Sequence, residues 1–207
     1  MTASPLNASV RDQLAAMMAA SDMGDAGHLN NALRLLSKWR SVLIQNTLLR
    51  QQGTTVLEGP VAGLDFLPHS AEGCHVAKLL GCYEQPLQPH IEAAIAAAYP
   101  TILNIGCAEG YYAVGMARRM PGTSVIACDT NPAAQQTCRA LAEKNGVAGR
   151  VTVSGHFECA DFARHAGGRV LVLCDIEGGE KALLDPVRAP ALRDMDIIME
   201  SHDCIIP

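Results

Sequence analysis

The chain has 207 residues, which is enough for one domain of ordinary size and about fifty residues more. A hydrophobic fraction of 49% and a charged fraction of 18% exclude a disordered chain. The net charge of -5 excludes a globally basic nucleic-acid binder, and no apolar run is long enough to cross a membrane. The N-terminus lacks a signal-peptide core, so we expect a cytoplasmic protein that binds neither nucleic acid nor membranes.

The eight cysteines of the chain include no Cys-x-x-Cys pair. This spacing argues against a zinc ribbon and against a thioredoxin-like motif. Cys128 and Cys174 stand inside apolar runs, where a cysteine behaves as a small apolar residue. We therefore expect reduced, buried thiols.

Residues 1–53 are predicted to form an N-terminal helical extension. One helix is expected from Val10 to Ala20, and a longer one from about His28 to Gln52, which Gly53 ends. Apolar residues recur at helical spacing along the second helix. This stripe predicts a face that packs on a core or, alternatively, the seam of a homodimer.

Residues 54–100 are predicted to form a β-hairpin and a helix that lead into the core. Two short strands are expected between Thr54 and Phe66, around a turn at Gly59 and Pro60. The helix is expected from about Gln88 to Ala98, with a proline in its first turn.

Residues 101–207 change to alternating apolar strands and helices. The predicted strands cover residues 101–105, 123–128, 150–154, 170–174 and 195–200, and helices are expected at 111–120 and 131–146. Apolar runs separated by helices are typical of a parallel sheet that is buried on both faces. Right-handed crossovers then predict an α/β fold with a doubly wound, Rossmann-like, mostly parallel sheet.

Ligands of such sheets bind beyond the carboxyl ends of the strands. The first predicted strand is followed by a turn bracketed by Gly106 and Gly110. Its spacing is Gly-x-x-x-Gly and not the Gly-x-Gly-x-x-Gly of dinucleotide-binding proteins. Asp129 ends the second strand, where a carboxylate can bind a ribose diol. The alternatives are a plain strand-to-helix turn and a carboxylate at a helix N-terminus.

The loops after the next three strands add titratable groups to the same edge of the sheet. These groups are His156 after the third strand, Asp175, Glu177 and Glu180 after the fourth, and Glu200 and His202 after the fifth. A histidine beside carboxylates can act as a general base, and the same set can hold Mg²⁺ or Mn²⁺. The alternative is helix capping by the glutamates, with the histidine hydrogen bonded to a neighbour.

Two runs of this sequence resemble a known family. Ile102–Ala113, together with Asp129 and Asn131-Pro132, resembles the S-adenosylmethionine-binding half of a class I methyltransferase. Asp175-Ile-Glu-Gly-Gly-Glu180 is similar to the Asp-x-Glu-Gly-x-Glu signature of FkbM-type methyltransferases, and Leu79–Glu84 is similar to a segment that precedes the core in some of them. The resemblance covers roughly residues 55–207.

The resemblance implies an enzyme that transfers a methyl group from S-adenosylmethionine to a small-molecule or sugar-like hydroxyl. It places Asp175 and Glu177 beside the reactive methyl group. A hydroxyl nucleophile also needs a proton acceptor, and Asp175 and His202 are the predicted catalytic residues for that role. No metal is expected, although Asp175, Glu200 and His202 form an alternative ligand set. The implied cofactor-binding residues are Asn104, Gly106, Cys107, Glu109, Gly110, Asp129, His156 and Asp175.

The sequence departs from the family pattern at two positions. Asn104 stands where many class I enzymes have a carboxylate, and His156 stands where an Asp-type adenine contact is common. Three other functions stay open: a non-catalytic cofactor-binding module, an NAD-dependent oxidoreductase and a metal-dependent hydrolase.

The predicted sheet has fewer strands than a complete class I methyltransferase. We expect its C-terminal hairpin to be missing. An apolar strand left at the edge of a sheet is an association hazard. We therefore expect the N-terminal segment or a partner subunit to cover it, and a homodimer is one possible arrangement.

Overall fold

The computed structural model describes residues 4–19, 26–70 and 74–202. The chain divides into two compact units, residues 1–53 and residues 54–207. Among the described helices, none combines the length and the apolar character that a membrane span requires.

The first unit is a pair of helices, α1 (Pro5–Ala19) and α2 (Ala26–Gln52). The indole Nε1 of Trp39 on α2 donates a hydrogen bond to Asn7 Oδ1 on α1 at 2.9 Å. No described residue of either helix is buried, and Leu33 is 63% exposed. The helix pair by itself therefore buries no side chain of the stripe on α2, and the core-facing stripe and the dimer seam both stay predictions.

The second unit begins with a compact loop where the sequence predicts two strands. A single antiparallel bridge joins Thr55 to Asp65. Gly59 and Gly63 both adopt left-handed φ values, which turn the chain twice within a few residues and leave no length for a ladder. Beyond the loop, the helices are α3 (His75–Leu80), a 3₁₀ turn at residues 85–87, and α4 (Gln88–Ala97).

The described part of the second unit contains a sheet of five parallel strands. The strands are β1 (Thr101–Ile105), β2 (Ser124–Cys128), β3 (Val151–Ser154), β4 (Val170–Cys174) and β5 (Asp196–Met199). Their order across the sheet is β3-β2-β1-β4-β5, so the chain winds outward from β1 in both directions. This order confirms the predicted α/β, doubly wound, Rossmann-like sheet.

Local sequence signals set the helices between these strands. They are α5 (Tyr111–Arg119) after β1, α6 (Pro132–Lys144) after β2, and α7 (Glu180–Leu183) after β4. Asn131 caps α6, because its side-chain oxygen accepts a hydrogen bond from the backbone N–H of Ala133 at 2.9 Å. Pro132 then occupies the first helical position, where its missing N–H costs nothing.

The core of the second unit lies around the two central strands. All of β4 and most of β1 are buried, as expected for strands covered on both faces. In the sheet register Ile105 of β1 lies beside Cys174 of β4. The loops that follow these two strands therefore start side by side, at the point where the strand order reverses.

The described cysteines form no disulfide with one another. The seven described cysteines are all free, and Cys204 lies outside the described residues. Cys128 and Cys174 are buried as predicted, but Cys74 and Cys82 are exposed, so the expectation of buried thiols is wrong for these two.

On the edge strand β5, Ile197 and Met199 are 40% and 51% exposed. Cover of this edge by the N-terminal segment or by a second subunit stays a prediction.

Candidate active site

A cavity of about 360 Å³ lies at the carboxyl ends of β1, β4 and β5. Its floor comes from the turn after β1 and from the last residues of β4 and β5. Its other wall comes from α3, the chain that follows α3, and the start of α5. This is the crevice at the strand reversal where doubly wound sheets bind ligands.

The predicted glycine turn brings two loops into direct contact. Gly106 has a φ of +79°, and a Cβ on it would lie 1.6 Å from the backbone oxygen of Asp175. Gly110 has a φ of +92°, and a Cβ there would lie 2.6 Å from Cys138 Sγ. Both positions therefore require glycine, for conformation and for space.

A buried ion pair lies at the inner end of the cavity. The Glu109 side chain is fully buried, and its Oε1 accepts hydrogen bonds from Lys78 Nζ at 2.6 Å and Ser70 Oγ at 2.5 Å. Burial opposes ionisation, but Lys78 and Ser70 outweigh it and hold the pKa of Glu109 below its usual value. Its second oxygen, Oε2, is also buried and has no hydrogen-bond partner among the described residues.

The carboxylate of Asp129 ties two loops together. Its Oδ2 accepts a hydrogen bond from the backbone N–H of Ala108 at 2.9 Å, and its Oδ1 accepts one from Asn131 at 2.8 Å. Each carboxylate oxygen keeps a further lone pair. Asp129 stands beside the cavity but is not part of its lining.

Two further predicted cofactor residues differ in their surroundings. Asn104 is buried and lines the cavity, as does Cys107. A hydrogen bond with Cys138 and burial raise the pKa of the Cys107 thiol. The His156 side chain is 70% exposed and does not line the cavity.

The loops after β4 and β5 gather several carboxylates around one histidine. His202 Nδ1 donates a hydrogen bond to Glu180 Oε1 at 2.9 Å. Its Nε2 lies 3.9 Å from Asp175 Oδ1, 3.6 Å from Glu177 Oε2 and 3.7 Å from Glu200 Oε1. The structure therefore brings together the residues that the sequence places on separate loops.

Within this cluster, Glu180 stabilises the loop that follows β4. It is buried, and its Oε1 also accepts hydrogen bonds from the backbone N–H groups of Ile176 at 3.0 Å and Gly178 at 3.3 Å. These bonds stabilise the loop that precedes α7, and no described side-chain hydrogen bond caps that helix, so the predicted helix capping is not observed for Glu180. Glu177 is exposed and has a left-handed φ of 56°.

The protonation of Asp175 and His202 follows from their environments. Burial, and then the charge of Glu200, raise the pKa of Asp175 to about 6, against a weaker opposing effect of His202. The hydrogen bond to Glu180 raises the pKa of His202 above its usual value. Asp175 lines the cavity, whereas His202 lies behind it. Near neutral pH Asp175 is therefore the better placed proton acceptor.

The same cluster has the dimensions of a cation site. One ligand atom each from Asp175, Glu200 and His202 can be chosen so that all lie within 4.8 Å of one another. Oxygen and imidazole ligands suit Mg²⁺ or Mn²⁺.

The sequence did not predict the aromatic wall of the cavity. Tyr83 and Tyr112 line it, and the Tyr112 hydroxyl donates a hydrogen bond to Glu84 Oε2 at 2.8 Å. Lys78 Nζ lies 4.7 Å from the centroid of the Tyr83 ring. Glu84 has a left-handed φ of 46°, an uncommon conformation for a residue with a Cβ. Only the likeness of Leu79–Glu84 to a family segment pointed to this wall.

No family model matches the sequence, and no curated protein matches it. Solved structures are similar in fold. An O-methyltransferase from Bacillus cereus in complex with SAH is 18% identical, with 52% of this chain and 52% of that chain covered and a TM-score of 0.42. The O-methyltransferase TomG from Streptomyces achromogenes, in complex with SAM, is 17% identical, with 64% and 58% covered and a TM-score of 0.45.

An RNA methyltransferase from Salinibacter ruber, in complex with S-adenosyl-L-homocysteine, is 14% identical, with 54% of this chain and 74% of that chain covered and a TM-score of 0.39. The chain spans a little over half the length of the two O-methyltransferases, 52% and 58%. The fold class follows from the strand order described above, independently of these likenesses.

Proposed function

We propose that this protein is an S-adenosylmethionine-dependent methyltransferase of the FkbM-like group that methylates a hydroxyl group of a small molecule. The observation that carries the proposal is the cavity at the strand reversal. The Gly106 turn and the buried Glu109 line its inner end. Asp175 and Glu200 line the opposite, outer end. Binding groups and a proton acceptor thus face one space.

The residues at the inner end fit the cofactor. Glu109 Oε2 is a buried carboxylate oxygen without a partner, and an ammonium group such as that of the methionine part would satisfy it. Gly106 and Gly110 let a ligand approach the backbone. Asp129 keeps lone pairs that suit the ribose hydroxyls. His156 lacks a contact that would support its predicted role at the adenine.

The outer end fits general-base chemistry. When bound, S-adenosylmethionine supplies an activated methyl group, so the protein mainly has to position the acceptor and remove its proton. Asp175 borders the cavity, and its pKa of about 6 makes it a stronger base than an ordinary aspartate. His202, held by Glu180, lies 3.9 Å from Asp175 and acts as a positioning residue behind it.

The other functions have less support. The Gly-x-x-x-Gly turn lacks the spacing for a dinucleotide. A non-catalytic module would need no carboxyl of raised pKa beside its cavity. The ligand set of Asp175, Glu200 and His202 is compatible with a metal-dependent hydrolase, but such an enzyme gives no role to the orphaned oxygen of Glu109.

Calorimetric titration with S-adenosylhomocysteine tests the cofactor assignment. We expect saturable binding at one site per chain, and no saturable heat from NAD. A Glu143→Gln variant, which changes an exposed carboxylate on α6, serves as a control and retains the affinity of the original protein. Absence of S-adenosylhomocysteine binding would falsify the proposal, and binding of NAD alone would favour the oxidoreductase.

A further inference from the structure

Negative charge is in excess around the cavity. Its lining contains four carboxylates, and Lys78 is its only cationic side chain in the described part of the chain. Because Lys78 is ion-paired with Glu109, the charges of Glu84, Asp175 and Glu200 are not balanced within the lining.

The histidine behind the lining does not balance this charge. His202 brings at most one positive charge, and it faces the carboxylates of Asp175, Glu177, Glu180 and Glu200. The sulfonium of the proposed cofactor adds a single positive charge of its own. The outer end of the cavity therefore stays negative with the cofactor bound.

The walls of the cavity are suited to a molecule with an apolar or aromatic body. Tyr83 and Tyr112 present rings, and Leu87 and Ile198 contribute apolar surface. An ammonium group is attracted both to the faces of such rings and to a carboxylate beside them.

One feature independent of the charge excess indicates that the cavity binds a ligand. The fully buried Glu109 has an oxygen without a partner, which needs an N–H or O–H donor from outside the described residues.

We propose that the methyl acceptor is a cationic small molecule, with an ammonium group on an apolar or aromatic body that also carries the hydroxyl to be methylated. This inference rests on the proposed methyltransferase function and narrows its substrate class. The carboxylates at the outer end attract the ammonium group and repel phosphates and carboxylates. Anionic acceptors are therefore selected against by charge alone.

Three phenols of nearly equal size test the inference, since they differ mainly in charge. Tyramine is a cation, tyrosol is neutral and 3-(4-hydroxyphenyl)propanoate is an anion at pH 8. Each is titrated calorimetrically into protein saturated with S-adenosylhomocysteine. We expect tyramine to bind about tenfold or more tighter than the propanoate, with tyrosol between them. Equal affinities, the reverse order, or no binding of tyramine overturns the inference.

A charge-removing variant separates electrostatics from shape. Glu200→Gln should weaken tyramine binding several-fold and leave tyrosol unchanged, while the control Glu143→Gln should change neither. Equal losses for tyramine and tyrosol would contradict the inference. So would a preference for the propanoate in the presence of Mg²⁺, because the outer carboxylates would then serve a divalent cation.

Failure of the proposed function gives a different result. In that case S-adenosylhomocysteine itself does not bind in the preceding titration. A wrong order of the three phenols with S-adenosylhomocysteine bound overturns only the acceptor class.

Discussion

The two ends of the cavity hold charge in opposite ways. At the inner end, the Lys78 and Glu109 side chains are 3% and 0% exposed and neutralise each other at 2.6 Å. At the outer end, Asp175 and Glu200 have side chains that are 45% and 56% exposed, and negative charge is in excess. The charges at the inner end therefore form a buried ion pair within the fold. The carboxylates at the outer end stay accessible to a ligand.

The largest effect is expected from a substitution at Gly106, in the turn that contacts the loop of Asp175. Gly106→Ala places a Cβ against the Asp175 backbone oxygen and imposes a left-handed φ on alanine, so we expect a loss of at least about 3 kcal/mol in the free energy of unfolding. Thermal and urea unfolding measure it. Gly122→Ala is the matched control, because a Cβ added at Gly122 would have no atom within 4 Å. A variant as stable as this control would contradict the expectation.

Removal of the cation at the inner end should come next. Lys78→Met leaves the carboxylate of Glu109 buried without a counter-charge, and we expect a loss of about 3–5 kcal/mol in the free energy of unfolding. The exposed Arg164, which forms an ion pair with Asp161 at 2.7 Å, gives the contrast, since Arg164→Met should cost about 1 kcal/mol or less. Equal losses for the two variants would mean that the inner end is not special.

At the outer end, Asp175→Asn should affect chemistry more than folding. We expect methyl transfer to a panel of phenols and alcohols to fall about 100-fold, because the general base is removed. S-adenosylhomocysteine affinity should stay within about threefold, since an isosteric amide keeps the shape of the side chain. A parallel fall in affinity would show that Asp175 binds the cofactor and does not act as the base. Glu143→Gln is again the control.

The pH dependence of methyl transfer should follow the same residue. Asp175 must be ionised to accept a proton, so activity is present above its pKa of about 6 and falls about tenfold for each pH unit below it. The rate at saturating substrate measures this limb. A rate independent of pH between 5 and 7 would argue against Asp175, and the residual activity of Asp175→Asn should lack the limb.

The smallest effect is expected from metal removal. Since Asp175 is assigned to proton transfer and His202 to positioning Asp175, dialysis against EDTA should leave methyl transfer unchanged within about twofold. Restoration by Mg²⁺ or Mn²⁺ of an activity lost on dialysis would instead assign Asp175, Glu200 and His202 as metal ligands.

Sequence patterns predicted the sheet better than the cavity wall. β1 and β4 were predicted to the residue, because continuous apolar runs are typical of central parallel strands. The ion pair at the inner end was missed, because Lys78 and Glu109 are separated by 31 positions and no local pattern links them. The loop at residues 54–66 was predicted as two strands, because its two glycine turns resemble a hairpin in composition.

The site residues divide in the same way. Those that directly follow a strand, such as Gly106 and Asp175, lie where the topology places them. The exposure of His156 could not be foreseen, since it depends on how far the chain turns after β3. The hydrogen bond from His202 to Glu180 joins loops from two strands, so it appears only in three dimensions.

The bonds made by Asp129 have a consequence for affinity. The oxygens proposed to receive the ribose already hold the backbone N–H groups of Ala108 and Asn131. The loop after β1 and the start of α6 are therefore fixed in the protein before any nucleoside arrives. The conformational entropy of these loops is lost during folding and not during association. Asp129→Ala should thus loosen the empty site as well as remove a contact, and protein without ligand would show it as faster amide hydrogen exchange at Ala108.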